Sequence, residues 1–385
     1  MKSINKWQYD FLIEVFMLFI SIKGRLNFLQ LSRYGTHGEQ HYRNQFSKPF
    51  DFLTFNRTLI DTYAGKDLVI AIDPSYIPKS GKATNGLGYF WSGTASRSKW
   101  GLEVSGIAAI DIDNHTAFHL EAVQTPSDLS STTLLEHYTH VLVARKQALL
   151  AISKYMVADA YFSKYGFVSK LQEEGFDIIS RLRDDADLKY RCLTIPKKGR
   201  GRPRKYDGKV DFKNLKLDYF KCIEQTHECK TYQANVYSKA LKSDINLVIV
   251  YTNKNGQWLH KLYFATDLKL AAKTILKYYK SRFLIEFTFR DAKQHTGMNH
   301  CQARSESKLH FHWNASLTSI NLAKVTHWLN IPQQERGTFS MEQIKTLHHN
   351  ELLLKRFLDV FGIKANLTKN IHKLEQLRYY GIRAA

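Results

Sequence analysis

Residues 67–73, DLVIAID, constrain the fold more tightly than any other part of the chain. Five consecutive apolar residues, Leu68 to Ile72, leave no polar face for a surface helix, and so short a run fits a buried strand. Asp73 and Pro74 follow, so the strand is expected to end on a carboxylate. The runs GLEVSGIAAIDI (101–112) and HTAFHLEAVQT (115–125) are also strand-like and meet at the turn formers Asp113 and Asn114, giving a three-strand meander. Residues 131–152 have helical apolar spacing after a Ser/Thr start. A fourth strand, YMVADAYFS (155–163), carries Asp159 near its end; residues 163–174 suit a helix and FDIISRL (176–182) a fifth strand.

Three strands, a helix, a strand, a helix and a strand is the order of an α/β, ribonuclease H-like core with a mixed five-stranded sheet, though other mixed α/β folds share it. Residues 183–265 interrupt the order: pieces such as QANVYS and INLVIVYT, with turn formers between, predict a β-rich insertion. Helical periodicity returns near Leu268 and continues with breaks, and residues 1–60 also read as helical. Within them, LNFLQLSRYG and THGEQHYRNQFS fit two helices around a glycine turn, with Gln40, His41, Arg43 and Asn44 exposed on the second. A helix-turn-helix and a helical cap with a polar face both match this pattern.

Lys and Arg outnumber Asp and Glu by 56 to 35, and a net charge of +21 implies a polyanionic partner. FLIEVFMLFISI (11–22) spans only 12 residues and contains Glu14, which points to a buried helix rather than a membrane span or signal sequence. Cys192, Cys222, Cys229 and Cys301 form no CxxC pair, and His227, His295, His300, His310 and His312 match no zinc spacing. A reducing cytoplasm is the expected setting.

A carboxylate, Glu286, interrupts the basic and aromatic run YYKSRFLIEFTFRDAK (278–293). On a continuous helix at about 100° per residue, Tyr279, Arg282, Glu286, Arg290 and Lys293 form one polar stripe, flanked by Ile285 and Phe289 on one side and Leu284 and Phe287 on the other. Carboxylates at strand ends line the usual crevice of an α/β sheet, and a helix across it brings Glu286 toward Asp73 and Asp159. Three converging carboxylates repel unless a cation neutralises them; Mg²⁺ suits an all-oxygen site with room for phosphate and water.

The spacing Tyr279, Arg282, Glu286, Lys293 resembles the Y-(2)-R-(3)-E-(6)-K signature of bacterial DDE transposases of the insertion sequence four family, over roughly residues 67–330. The resemblance implies Asp73, Asp159 and Glu286 as catalytic, metal-binding triad, with two Mg²⁺ ions for which Mn²⁺ substitutes. It implies that Tyr279, Arg282 and Lys293 contact DNA at the cut, and that Arg290 lies on the same DNA-facing stripe. It further implies a homodimer in a synaptic complex, acting on terminal inverted repeats and target DNA in the cytoplasm, at the nucleoid. The expected organisation is a helical DNA-binding region (1–60), the first part of the catalytic core (61–182), the insertion (183–265), the second part of the core (266–330) and a helical C-terminal region (331–385).

Relatives hold a flipped base on an aromatic residue of the insertion. Trp258, the one tryptophan there, is the candidate, and a structural hairpin tryptophan is the alternative. Arg200, Arg202 and Arg204 in KKGRGRPRKYDGK (197–209) resemble an AT-hook or form a loop that tracks phosphates. KSGKATNGLG (79–88) lacks the first glycine of a phosphate loop, since Tyr76 stands there, so Lys79 and Lys82 are expected to flank the active site. Asp184, Asp185 and Asp187, like Asp111 and Asp113, read as turn residues. The functional expectation is a cut-and-paste DNA transposase. A metal-dependent nuclease without strand transfer and a non-catalytic DNA-binding inhibitor are the alternatives.

Overall fold

The computed structural model describes residues 4–130, 132–193, 204–364 and 368–382. The chain opens with helices α1 (Lys6–Ser21), α2 (Phe28–Tyr34), α3 (Glu39–Gln45) and α4 (Phe52–Tyr63). Asn5 caps α1 by accepting from Gln8 N, and Phe11, Leu12, Val15, Phe16 and Phe19 bury its inner face. It packs on two later helices, α10 and α11, introduced below. Among the described residues no helix is long and apolar enough to cross a membrane.

The first sheet segment comprises β1 (Leu68–Pro78), β2 (Gly88–Ser92), β3 (Arg97–Asp111) and β4 (Thr116–Gln124). Helices α5 (Leu134–Val143) and α6 (Lys146–Leu150), β5 (Tyr155–Val157), α7 (Tyr165–Glu173) and β6 (Asp177–Leu182) follow. β1 pairs antiparallel with β3 and β3 with β4, whereas β1 and β5, and β5 and β6, pair in parallel. The order β4-β3-β1-β5-β6 makes a mixed α/β sheet consistent with the ribonuclease H-like expectation.

The remaining strands are β7 (Leu188–Arg191), β8 (Tyr206–Lys209), β9 (Lys221–Gln225), β10 (Cys229–Ser238), β11 (Ser243–Lys254) and β12 (Gln257–Ala265). They do not stand apart from the core. β12 pairs antiparallel with β6, so the described residues form one twelve-stranded sheet instead of the five-stranded one expected. The edge of β6 would otherwise present unpaired backbone groups, and β12 satisfies them. The chain ends with α8 (Ala272–Ser281), α9 (Leu284–Gln294), α10 (Glu306–Ala323), α11 (Met341–Phe361) and α12 (Thr368–Arg378). α10 is buried nearly all round: Asn314 and Asn321 bond the backbone of β4, and Asn56 of α4 joins them.

Four local expectations change. β1 runs through Pro74 to Pro78, so Asp73 lies mid-strand, not at a tip. The parallel partner β5 stops opposite Ala71, and the rest of β1 has lost that neighbour, which is where proline is tolerated. β2 pairs with the first part of β3, adding a strand to the expected meander. The helix expected over 131–152 breaks at Ala144 and Arg145, where the Arg145 side chain bonds Glu121 and Val141 O. The 278–293 helix divides into α8 and α9, because Arg282 N, Ile285 N and Glu286 N bond three residues back in a tighter turn.

Candidate active site

Asp73, Asp159 and Glu286 line one cavity of about 890 Å³. Asp73 enters from β1, Asp159 from the turn two residues beyond β5, and Glu286 from the first turn of α9. Asp159 accepts from Tyr161 N at 2.9 Å, which fixes the carboxylate at the start of a short 3₁₀ turn. α9 reaches the sheet because of Gly106 on β3, which lies directly opposite Asp73. A Cβ at Gly106 would stand 2.3 Å from the ring of Phe289, so only glycine lets this helix approach so closely. Leu284, Ile285 and Phe289 form its buried face. Phe287, expected to pack on a flank, is instead exposed and carries Arg290 over its ring at 4.5 Å.

The electrostatics centre on Asp73. Burial raises its carboxyl, the Arg282 guanidinium opposes that, and Glu286 and Asp159 add repulsion, leaving it at about 7. Arg282 sits between two of the acids, with Nη2 2.8 Å from Glu286 Oε1 and Nη1 3.7 Å from Asp73 Oδ1. Burial depresses the charged form of Lys293 while Asp73 favours it, and its Nζ donates to Tyr76 O at 2.9 Å. Arg290 also lines the cavity. Tyr279 does not face the groove as freely as the stripe implied: its ring meets Tyr263 edge-on at 5.1 Å, because the tight turn shifts its phase relative to α9.

The three acids share a cavity, yet among the described residues no group of three His, Cys, Asp or Glu side chains is gathered for a metal ion. Two of them are engaged within the chain instead: Glu286 by Arg282 and Asp159 by a backbone amide. The donor set nonetheless fits a hard divalent cation. It consists of carboxylates around a roomy cavity, one of them buried with its charge incompletely compensated. Arg282 stands where positive charge is wanted.

The other expected contact residues fall elsewhere. Lys79 and Lys82 line a second cleft beyond the end of β1 instead of flanking the acids, and Lys79 Nζ donates to Cys301 O and Ala303 O. Trp258 is exposed near the tip of the β11–β12 hairpin, with Lys230 Nζ 4.4 Å above its ring. Arg204 pairs with Asp207 at 3.4 Å; Arg200 and Arg202 lie outside the described residues. In α3, Gln40 and Asn44 are exposed as expected, with Gln40 Nε2 donating to Asn44 Oδ1 at 2.8 Å, while His41 stacks on His37 and Arg43 pairs with Glu39, so each of the four has a partner within the chain.

Sequence reasoning missed Glu103, Tyr138 and Trp91, all of which line the cavity. Glu103 is buried on β3 and accepts from Tyr138 Oη at 2.5 Å; burial raises its carboxyl. Trp91 projects from β2, 62% exposed. A short strand flanked by glycine and serine gave no periodicity to find it by. Gly106 did leave a signal, a lone glycine within a strand pattern.

Residues 64–322, about two thirds of the chain, match the model of the transposase DDE domain. The chain belongs to that family. It is thus a DDE transposase domain, of a phosphoryl-transfer enzyme family whose members bind DNA, generally use divalent metals and carry out transposition. Comparison with curated proteins finds no match.

Proposed function

We propose that the protein is a cut-and-paste transposase of the insertion sequence four family, built on a ribonuclease H-like core, with Asp73, Asp159 and Glu286 as its catalytic carboxylates. The observation that carries this reading is the placement of these three acids on one cavity, with Arg282 bridging two of them, inside a matched transposase DDE domain. Two Mg²⁺ ions held by the triad would supply a polarised phosphate and an activated water or 3′-hydroxyl. Arg282, which holds Glu286 at 2.8 Å in the free protein, would offer its planar fork to a phosphate oxygen of the DNA. Lys293, anchored on Tyr76 O, and Arg290 at the rim hold the neighbouring phosphates. Tyr279 acts beside Arg282, and Trp258, near the tip of the β11–β12 hairpin, is the residue assigned to a displaced base.

The active species is a homodimer that pairs two inverted-repeat ends before cutting and joining them to target DNA, in the cytoplasm. The test is incubation of purified protein with end-containing duplex, target plasmid and Mg²⁺ or Mn²⁺. Cleaved ends and joined products are expected from the wild type, and Glu286→Gln should lower both by at least about 10³-fold while binding changes little. Cleaved ends without joining would reassign the protein as a nuclease; metal-independent binding with no cleavage would make it an inhibitor.

A further inference from the structure

The second cleft, about 490 Å³, is formed where three separate stretches meet: Arg25 between α1 and α2, the loop after β1, and the segment between α9 and α10. Its charged lining residues are all basic, Arg25, Lys79, Lys82 and Arg304, and no Asp or Glu lines it among the described residues. Arg25, Lys82 and Arg304 are exposed and have no acidic partner there within 4.0 Å. Like charges gathered without counter-charge cost stability unless an anion completes them.

The cleft is also braced. Lys79 Nζ donates to Cys301 O at 2.6 Å and Ala303 O at 2.9 Å, and Leu26 N donates to His300 Nδ1 at 3.1 Å. The last bond fixes the tautomer: with Nδ1 accepting, the ring hydrogen sits on Nε2, which becomes a donor. Asn299 also lines the cleft, and its NH₂ group is a further donor for an anion.

We propose that this cleft grips the phosphate backbone of duplex DNA, within about five base pairs of the bond that is cut. The inference rests on the DNA-cleaving reading above. β1 connects the two sites, and from Asp73 to Pro78 an extended strand covers about 17 Å. At about 3.4 Å of duplex per base pair that is five steps. One strand thus carries a catalytic acid in its middle and a phosphate grip at its end, giving the duplex two separated holds.

The test compares Lys82→Glu/Arg304→Glu with Lys355→Glu/Arg356→Glu, which makes the same charge change on the exposed side of α11. Affinity for an end-containing duplex is measured in metal-free buffer across a salt series, together with phosphate-ethylation interference. The cleft variant should bind at least about tenfold more weakly, with a salt slope shallower by about two and with interference lost within five base pairs of the cut. The α11 variant should stay within about twofold of wild type. Equal behaviour of the two variants would overturn the proposal. A wild type that binds but fails to cleave in Mg²⁺ would count against the catalytic reading alone, since the binding measurements use no metal.

Discussion

Two carboxylates of the same sheet are treated in opposite ways. Glu121 on β4 is paired on both sides: its Oε2 bonds Arg145, and His310 Nε2 lies 3.4 Å from its Oε1. Burial alone would raise it, but these hydrogen bonds and charges bring it down to about 2. Asp73, on the far side of β3, has a single guanidinium at 3.7 Å and two acids nearby, and stands at about 7. The fold completes the first charge and leaves the second open. A buried charge without a full partner is costly, and such a cost is tolerated where something outside the chain removes it.

The sharpest way to break this contrast is to neutralise each acid. Glu121→Gln leaves Arg145 without its partner and should destabilise the protein by about 3 kcal/mol in urea unfolding. Asp73→Asn should be neutral or stabilising by about 1 kcal/mol, while abolishing cleavage. Similar losses of stability from both would show that Asp73 is as well partnered as Glu121. Next in size, Gly106→Ala forces Phe289 off the sheet and should cost about 1–3 kcal/mol with a marked loss of cleavage, measured by unfolding and end nicking. An unaffected enzyme would remove the close approach of α9 as the reason Glu286 shares the cavity with Asp73.

Smallest in each step is the pH dependence of the metal-free protein, read one pH unit at a time. Asp73 has a folded value of about 7 against an ordinary 3.8, so the folded state binds the proton more tightly between those limits. Its contribution to stability should therefore increase as pH falls from 7 toward 4, by up to about 1 kcal/mol per pH unit, and Asp73→Asn should lack it. Glu121 has the opposite sign: its contribution is complete above its ordinary 4.5 and is lost as pH falls toward 2. Unfolding midpoints of both variants between pH 2 and 7 separate the two.

Much of this arrangement was legible beforehand. The apolar run 68–72 and the alternation after it gave the core strands, and the residue types at 279, 282, 286 and 293 named the acid on the distant helix. What was not legible depends on distant partners. Asp73 lies mid-strand because β5 ends opposite Ala71, a register that only the assembled sheet defines. The insertion joins the core sheet because β12 finds the edge of β6, which local composition does not report. The helix break at Arg282 follows from a tight turn whose side chain reaches two acids from different elements. Seven basic residues around 200 stand out in the sequence as a run, whereas the cations lining the second cleft come from three segments with no shared motif.

Anomalous diffraction from Mn²⁺ in crystals of the protein with its end-containing DNA tests the central claim most directly. We expect manganese bound by Asp73, Asp159 and Glu286, with Arg282 moved from Glu286 to a phosphate. Manganese held by other residues, or Arg282 still bridging Glu286 and Asp73 in crystals whose DNA has been cut, would contradict it.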